Sequence, residues 1–253
     1  MIIYCVVGEQ CKDVFLYGSC ERFSPEAPVP VFRPVDDVVN IGMAGNVISN
    51  LRAIIDKYGD ITSEFVTSVL SEDRIKKTRY VDKKSNHIFL RVDEYDSVRM
   101  MEPYNIGNIN ADAILISDYN KGFLSDELIV QFKKKLPDST IFLDTKREMT
   151  QELLLAVDFV KLNEPEYEKV DERLKIVFEH KFIVTLGSNG AMYGKKKYPS
   201  KRPLQTTDVS GAGDTFFAAL VFSYMNNKSI SKSISFANDM ASIVVSKRGV
   251  STI

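Results

Sequence analysis

The most informative stretch of the chain is Asp208-Val209-Ser210-Gly211-Ala212-Gly213-Asp214-Thr215-Phe216, where two glycines and an aspartate precede a long apolar run. Glycine lets a backbone approach a ligand closely, and the free N–H groups of a helix's first turn suit an anion. A carboxylate there would repel a bound phosphate, but it can take the proton of a hydroxyl that attacks the phosphate. The stretch therefore favours phosphoryl transfer with Asp214 as the base. The alternative is a glycine-rich turn that caps a core helix.

Composition indicates a globular protein and gives no support to several other classes. The 253 residues are 44% apolar and 26% charged with a net charge of -1, which gives no support to nucleic-acid or membrane binding through bulk charge. The chain has no apolar run of membrane-spanning length, and we expect no signal peptide and a cytoplasmic protein with reduced thiols. Three cysteines without CxxC spacing and only two histidines argue against a zinc site.

Short apolar runs alternate with helical stretches through the middle of the chain. The predicted strands are Ala113–Ser117, Thr140–Asp144, Phe159–Leu162 and Phe182–Thr185. Helices are predicted over Ser125–Leu136, from about Thr150, over Gly213–Met225 and over Ile230–Lys247. Continuous apolar strands separated by helices indicate an α/β fold with a parallel sheet covered on both faces. Polar residues that follow these strands should lie at one edge, where such sheets bind ligands, and they are Asp118, Asp144 and Asn163.

Two regions depart from this alternation. Pro25–Phe32 is extended and proline-rich, and Ile75–Asp93 reads as two strands around a polar turn. Together they predict a small separate sheet, with segments at about 14–33 and 75–95, which forms a lid or a dimer surface. The alternative is an ordinary surface hairpin. The basic run Lys195–Lys197 is interpreted as a solvated hairpin.

These motifs resemble the ribokinase-like (PfkB) sugar kinases, whose chains carry a GAGD-type motif on the first turn of a helix, as in Gly211–Asp214. Further segments resemble the branch that phosphorylates D-glycero-β-D-manno-heptose 7-phosphate: Ser24–Val31, Lys77–Tyr80, Leu90–Asp93, Ser117–Gly122, Asn163–Glu166 and Lys247–Thr252. The resemblance implies one domain over residues 1–253, a ribokinase-like three-layer sandwich with a mostly parallel central sheet and a small β lid. The adenylyltransferase half found in many bifunctional relatives is expected to be absent.

The resemblance also implies a set of site residues. Asp214 would be the base, and the N–H groups of Gly211, Ala212 and Gly213 would bind the transferred phosphoryl group. ATP would be held by Thr185, Gly187, Gly190 and Asn238, with Mg²⁺ placed through water by Asn163 and Glu166. The sugar would be bound by Asp13, Gly42, Asn46, Arg79 and Asp118. Asp208 would support a monovalent cation such as K⁺, and the lid strands would form a homodimer.

Several of these residues have simpler interpretations. Asp13 could be a loop carboxylate, Asn163 only a helix N-cap, and Thr185 a strand-end residue without a ligand. Asp118 and Lys121 are interpreted as a turn and a surface ion pair. Arg79 and Arg91 are either solvated strand residues or partners for the sugar 7-phosphate, since a fork of donors suits phosphate.

Three departures from the family pattern bear on the substrate. Met43 stands where the sugar-binding segment has a second glycine, and Glu9 stands where relatives have aspartate. The third departure is the short stretch from Asn46 to Arg79, which we expect to lack a strand–helix unit and the usual GxDxxG segment. We also expect no final helix past Ile253. The expected activity is phosphorylation of the anomeric hydroxyl of the heptose phosphate. The alternatives are a kinase of another sugar, such as a ketohexose or ribose, and a sugar- or nucleotide-binding protein without catalysis.

Overall fold

The computed structural model describes residues 1–61, 64–72, 74–200, 211–245 and 253, and these form twelve strands in two sheets and eight α-helices. The strands are β1 Ile2–Gly8, β2 Gln10–Phe23, β3 Pro30–Met43, β4 Glu64–Leu70, β5 Ile75–Asp82, β6 Ile88–Glu94, β7 Ala113–Asp118, β8 Thr140–Thr145, β9 Phe159–Asn163, β10 Phe182–Thr185, β11 Ala191–Tyr193 and β12 Lys196–Tyr198. The helices are α1 Ala44–Tyr58, α2 Tyr104–Gly107, α3 Asp126–Lys135, α4 Gln151–Ala156, α5 Glu164–Glu168, α6 Glu172–Val177, α7 Ala212–Asn227 and α8 Ile230–Val245.

The larger sheet is mostly parallel, as the apolar strand pattern predicts. Its strand order is β12-β11-β10-β9-β8-β7-β1-β4. All pairings from β10 to β4 are parallel, and the hairpin β11–β12 adds two antiparallel strands at one edge. This hairpin carries the exposed Lys195–Lys197 run, which confirms the predicted solvated turn.

Helices cover both faces of this sheet and produce two hydrophobic cores. Tyr4 and Val6 of β1 point to the core formed with α1, α7 and α8, whereas Cys5 and Val7 point to the core formed with α3 and α4. Successive strand residues face opposite sides, so each buried strand contributes to both cores. The predicted α/β three-layer architecture is confirmed.

Side-chain caps start the helices directly after the strand ends. The Ser125 hydroxyl accepts from the backbone N–H of Leu128 at 3.2 Å, and Thr150 caps α4 in the same way through Leu153. Acidic residues in the first turn of α3 and three lysines in its last turn complement the helix dipole. The predicted helix starts at Ser125 and near Thr150 are thus confirmed.

The second sheet has the order β3-β2-β5-β6, and it forms from the two regions that break the α/β alternation. Its first segment is longer than the predicted 14–33, because β2 begins at Gln10 and β3 continues to Met43. The extension of β3 to Met43 could not be predicted from sequence, because most of β3 is exposed and lacks the apolar alternation of a half-buried strand.

Two further expectations can be compared with the fold. The short stretch after α1 contains the single strand β4, which pairs with β1 at the sheet edge before β5 begins. All three cysteines are free thiols. In the described part of the chain, no helix is long and apolar enough to span a membrane.

Candidate functional site

The N-terminus of α7 is built as an anion site. Gly211 is the N-cap with φ 81°, a left-handed conformation that glycine adopts without strain, and no described side chain caps the helix. A Cβ added to Gly213 would lie 3.2 Å from Nζ of Lys161, so the lysine ammonium group lies against the first turn. The free N–H groups and the ammonium group together favour a phosphate at this point.

Asp214 lies in the first turn of α7, and its carboxylate is held at both oxygens. The Asn46 amide donates to Oδ2 at 2.8 Å, and the Tyr119 hydroxyl donates to Oδ1 at 2.9 Å. The residue is 6% exposed. Asn46, which was expected to bind the sugar, thus contacts the expected base directly.

The environment of Asp214 gives its carboxyl the proton affinity of a base that works near neutral pH. Burial is the largest cause that raises its pKa, and Asp144 adds repulsion. Hydrogen bonds from Asn46 and Tyr119 and the charge of Lys161 lower it, and the net pKa is about 6. A pKa near the working pH suits a residue that must take up and release a proton.

Lys161 and Asp144 form a buried ion pair beside this base, with 2.8 Å between Nζ and Oδ2. Burial alone would lower the pKa of Lys161, but the attraction of Asp144 outweighs it and the net shift is upward. Lys161 therefore stays charged next to the anion site. A lysine inside the apolar run Phe159–Leu162 was a signal that could have identified it.

A cavity of about 440 Å³ opens in front of Asp214, and we call it the charged cavity. It is lined by Asp13, Met43, Lys77, Arg79, Arg91, Asp93, Asp96, Tyr119, Lys121, Lys146, Gly211 and Asp214. Strands of the second sheet supply much of this lining, so that sheet covers the base. Of the predicted sugar-binding residues, Asp13 and Arg79 lie in the lining.

Asp13 and Arg79 form an ion pair of 2.5 Å in the charged cavity. The guanidinium also lies over the ring of Phe15, 4.9 Å from its centroid, so Arg79 is buried and the solvated interpretation is wrong for it. Arg91 is exposed and forms a forked pair with Asp93. Gly42 supports Asp13, because a Cβ at Gly42 would lie 2.1 Å from the Asp13 carboxylate.

Asp118 is positioned away from the charged cavity. Its carboxylate is buried and accepts from the Thr145 hydroxyl at 2.6 Å and from the Arg147 guanidinium at 2.7 Å. Lys121 instead pairs with Asp96, so the interpretation of Asp118 and Lys121 as a surface pair is wrong. Because Asp118 is buried at the end of β7, its negative charge needs a partner, and the Arg147 guanidinium supplies it. The geometry favours a role for Asp118 in holding the loop, and its predicted sugar contact has no support here.

Met43 adopts a backbone conformation that favours glycine. Its φ is 59° and its ψ is -134°, and it is the N-cap of α1. The side chain is 2% exposed and lines the charged cavity. A methionine here carries backbone strain, and it reduces the space beside Asp214.

A second cavity of about 560 Å³ lies on the other side of the α7 N-terminus. The predicted nucleotide residues that line it are Thr185, Gly187, Gly190, Asn238 and Asn163. Asn238 is anchored by donating to the Tyr198 carbonyl at 2.8 Å, and Gly190 has φ 89° at a tight turn where a Cβ would meet Tyr198. Ala212 and Gly213 line this cavity, while Gly211 and Asp214 line the charged one, so the two cavities meet at α7.

Asn163 and Glu166 form a capping box at the start of α5. The Asn163 side chain accepts from the Glu166 N–H at 2.9 Å, and the Glu166 carboxylate accepts from the Asn163 N–H at 2.8 Å. Asn163 is thus an N-cap, and its role in placing Mg²⁺ stays a prediction. Glu166 also pairs with Lys146, which lines the charged cavity. One amide and one carboxylate are too few to hold Mg²⁺ alone, but they fit an ion held mainly by phosphates and water.

Two predicted features fall outside the described residues. Asp208, the expected support for K⁺, lies there, as does the tail from Ser246 to Thr252. Among the described residues, no group of three or more His, Cys, Asp or Glu side chains could hold a metal ion.

Comparison with known proteins agrees with this geometry. A model of the pfkB family of carbohydrate kinases matches residues 66–253. The bifunctional protein HldE of Nitratiruptor sp. is 30% identical over 288 residues, which cover 98% of this chain and 62% of that protein. The chain thus spans less than two thirds of this relative's length.

Solved structures show the same fold. The ribokinase of Thermotoga maritima has a TM-score of 0.69 at 17% identity, with 99% of this chain and 95% of the ribokinase covered. Phosphofructokinase-2 of Escherichia coli in complex with potassium has a TM-score of 0.70 at 15% identity, with 99% and 94% covered. Because the family model matches most of its length, this chain belongs to the pfkB family of carbohydrate kinases.

Proposed function

We propose that the protein transfers the γ-phosphoryl group of ATP to the anomeric hydroxyl of D-glycero-D-manno-heptose 7-phosphate, giving the 1,7-bisphosphate. The observation that carries the proposal is the charge of the cavity in front of Asp214. Five cationic side chains, Lys77, Arg79, Arg91, Lys121 and Lys146, line it against four carboxylates, those of Asp13, Asp93, Asp96 and Asp214. A neutral sugar needs no such set, whereas a sugar that already bears a phosphate would be attracted by it.

Lys77 is the cation best placed to meet a substrate phosphate. Arg79, Arg91 and Lys121 each have a carboxylate partner in this cavity. Lys77 has no ion-pair partner in the described ranges, and its ammonium group lies 5.2 Å from the centroid of the Tyr119 ring. A phosphate at Lys77 would lie in the same cavity as Asp214.

The residues divide the reaction between them. Asp214 takes the proton of the hydroxyl, and the resulting oxygen attacks the γ-phosphorus while the bond to the ADP oxygen breaks. The N–H groups of Gly211–Gly213 and the Lys161 ammonium group stabilise the charge on the transferring group. Thr185, Gly187, Gly190 and Asn238 would hold the nucleotide in the second cavity. Asn163 and Glu166 would orient water on Mg²⁺, which supplies charge neutralisation when bound.

The motif resemblance and the HldE relative support the heptose phosphate as acceptor. A kinase of another sugar is the second candidate, and Met43 favours it because its side chain occupies space beside the base. A binding protein without catalysis is opposed by the combination of Asp214, Lys161 and a helix end that no described side chain caps. The free thiols support a cytoplasmic location.

The direct experiment measures ADP release with the heptose 7-phosphate, unphosphorylated heptose, fructose 6-phosphate and ribose as acceptors. Asp214→Asn should abolish turnover and keep sugar binding by calorimetry, whereas the exposed control Asp56→Asn should leave turnover unchanged. Unchanged turnover in Asp214→Asn would contradict the assignment of the base. Binding without ADP release in the wild type would favour the non-catalytic alternative.

Lys77→Gln tests the acceptor. It should raise KM at least tenfold for the heptose 7-phosphate and leave KM for an unphosphorylated sugar unchanged. Lys76→Gln is the matched control, since Lys76 is next in sequence but pairs with Glu94 and does not line the cavity. An equal effect of Lys77→Gln on both sugars would count against a phosphate at this site.

A homodimer through the second sheet is part of the proposal. Both edge strands, β3 and β6, carry exposed apolar side chains, among them Val39 at 55% and Leu90 at 55%. Unpaired strand edges and exposed apolar side chains are usually covered in native assemblies. Light scattering at micromolar concentration should give a dimer that Leu90→Asp dissociates, whereas Ile176→Asp, at a site 76% exposed on α6, should not. A monomeric wild type would contradict the dimer.

A further inference from the structure

The buried carboxylate of Glu9 holds the loop that follows β7, residues 119–123, by hydrogen bonds. Glu9, which is fully buried after β1, accepts from the backbone N–H groups of Tyr119 at 2.8 Å, Lys121 at 2.9 Å and Phe123 at 3.4 Å. Its two oxygens are both acceptors; burial and the nearby Asp118 raise the pKa of Glu9, and the backbone hydrogen bonds oppose this by favouring the ionised form. The loop closes tightly around Glu9 through positive φ angles at Asn120 and Gly122.

The loop held by Glu9 places the Tyr119 hydroxyl within hydrogen-bond distance of Asp214. Tyr119 donates to Oδ1 of Asp214 at 2.9 Å, and Asn46 occupies Oδ2. With a donor at each oxygen, the carboxylate cannot rotate, and its remaining lone pairs keep a fixed direction. The ring of Tyr119 is kept in place by Lys77 and Lys146, whose ammonium groups lie 5.2 and 5.7 Å from its centroid.

We propose that Glu9 and Tyr119 are positioning residues for phosphoryl transfer: Glu9 sets the loop, and the Tyr119 hydroxyl orients Asp214 and holds it in the ionised form. The proposal rests on the proposed function for its effect on turnover, but the geometry of Asp214 can be tested without any turnover.

The protonation state of the buried Asp214 carboxylate depends on opposing influences. Burial and the nearby Asp144 favour the protonated, inactive form of Asp214. Tyr119 and Asn46 offset this by donating to the charged form. Other charged or titratable groups face the same space: Lys161 at the anion site, Cys11 on β2, and the lining side chains Asp13, Lys77, Arg79, Arg91, Asp93, Asp96, Lys121 and Lys146. Among the described residues, none of these groups forms a hydrogen bond with Asp214, whereas Tyr119 and Asn46 each donate one to it.

The length of the Glu9 side chain lets its carboxylate reach all three N–H groups of the loop. A side chain one methylene shorter cannot reach three N–H groups spread over five residues without moving the loop. Glu9→Asp should therefore displace Tyr119 from Asp214 while keeping the charge under the loop. The same variant tests whether the departure from the family's aspartate is coupled to this loop.

The first test titrates Asp214 directly. NMR of ¹³C-labelled aspartate carboxyl groups, assigned with Asp214→Asn, follows the titration in the wild type, Tyr119→Phe, Glu9→Asp and the exposed control Tyr104→Phe. Tyr119→Phe should move the Asp214 midpoint upward by about one pH unit, because it removes a hydrogen bond to the charged form. Glu9→Asp should move it in the same direction, and Tyr104→Phe should leave it in place. An unmoved midpoint in a folded Tyr119→Phe would overturn the proposal whether or not the protein is a heptose kinase.

The second test uses turnover on the best acceptor found. Tyr119→Phe should lower kcat about tenfold at pH 6.5, with a smaller change in KM, and should shift the acid limb of kcat toward higher pH. The double variant Glu9→Asp, Tyr119→Phe should lose no more than the larger single variant, since both act through one contact. Additive losses, or a lower kcat without a shifted limb, would show a merely structural role. Thermal unfolding of each variant identifies a loss caused by misfolding.

Discussion

The amide of Asn46 donates to Oδ2 of Asp214 at 2.8 Å, which joins the first turns of α1 and α7 across 168 residues of sequence. Asn50 fixes the direction of that amide, because its own amide donates to the Asn46 side-chain oxygen at 3.0 Å. The nitrogen of Asn46 must then face the carboxylate. Asn46 was predicted to bind the sugar, but in this structure its amide contacts the base.

We first predict the effect of changing this donor. Asn46→Asp keeps the shape and replaces the donated hydrogen bond with a second carboxylate beside Asp214. Two adjacent carboxylates cannot both ionise easily, so the pKa of the pair should rise and kcat at pH 7 should fall at least tenfold. The pH profile of kcat, with the exposed Asn110→Asp as control, measures this. A profile that matches the wild type would mean that Asn46 does not act on the base.

The sequence predicted the elements of the site better than its contacts. Gly211–Asp214 and Asn163–Glu166 are local motifs, and the backbone alone places them at strand and helix ends. The role of Tyr119 was missed because its partner Asp214 lies on a helix 95 residues away in sequence. Lys161 stands out as a lysine in an apolar run, but its partner Asp144 is set by the pairing of β8 with β9. Asp118 was misjudged for the same reason, since its partner Arg147 comes from the strand end beside it.

Asp214 should reduce the stability of the fold at neutral pH. Its folded-state pKa of about 6 exceeds the usual aspartate value, so the folded protein binds the proton more tightly than the unfolded chain does. Stability contributed by this group is therefore present below about pH 4 and is lost as the pH rises to about 6. Asp214→Asn should be more stable than the wild type by about 2 kcal/mol at pH 8.

Urea unfolding at pH 5 and pH 8 measures this difference for both proteins. The gap between wild type and Asp214→Asn should be larger at pH 8, where the wild-type carboxylate is ionised in the fold. The exposed Asp56→Asn should show no comparable gap. If Asp214→Asn is equally or less stable at both pH values, burial of the charge carries no cost.

Because the backbone at Met43 is strained, we predict that glycine at this position gives a more stable protein than alanine, the reverse of the usual order. Met43→Ala and Met43→Gly both remove the buried side chain, but only glycine adopts φ 59° and ψ -134° freely. Glycine normally destabilises relative to alanine by about 0.5–1 kcal/mol, whereas strain of this kind costs about 1–3 kcal/mol. Met43→Gly should therefore be the more stable of the two by about 1 kcal/mol in urea unfolding.

Met43→Gly should also affect the acceptor. It enlarges the charged cavity beside Asp214, so acceptors with a bulkier group near the reacting hydroxyl should gain in kcat/KM relative to the wild type. Met43→Ala should show a smaller gain, because it keeps the strained backbone and a Cβ. If alanine is the more stable variant, the conformation at residue 43 does not carry strain.

The two arginine–aspartate pairs of the charged cavity should differ in their coupling. The side chains of Arg79 and Asp13 are 10% and 8% exposed, whereas those of Arg91 and Asp93 are 48% and 44% exposed. Removing one partner of a buried pair leaves an uncompensated charge and costs about 3–5 kcal/mol, while an exposed pair contributes about 0.2–1 kcal/mol. Double-mutant cycles with Arg→Gln and Asp→Asn, read by urea unfolding, should give a coupling several times larger for Arg79–Asp13.

The same cycles separate structure from substrate binding. If Asp13 also contacts the sugar, Asp13→Asn should raise KM for the acceptor more than Arg79→Gln does at equal loss of stability. Arg79 donates to Oδ1 of Asp13 and the Cys11 thiol donates to Oδ2 at 3.8 Å, and a carboxylate oxygen can accept a second hydrogen bond, here from a hydroxyl. Equal coupling energies for the two pairs would mean that the second sheet opens to water in solution. In that case the ion pair between Asp13 and Arg79 would be solvated, and the charged cavity would not be closed over the base.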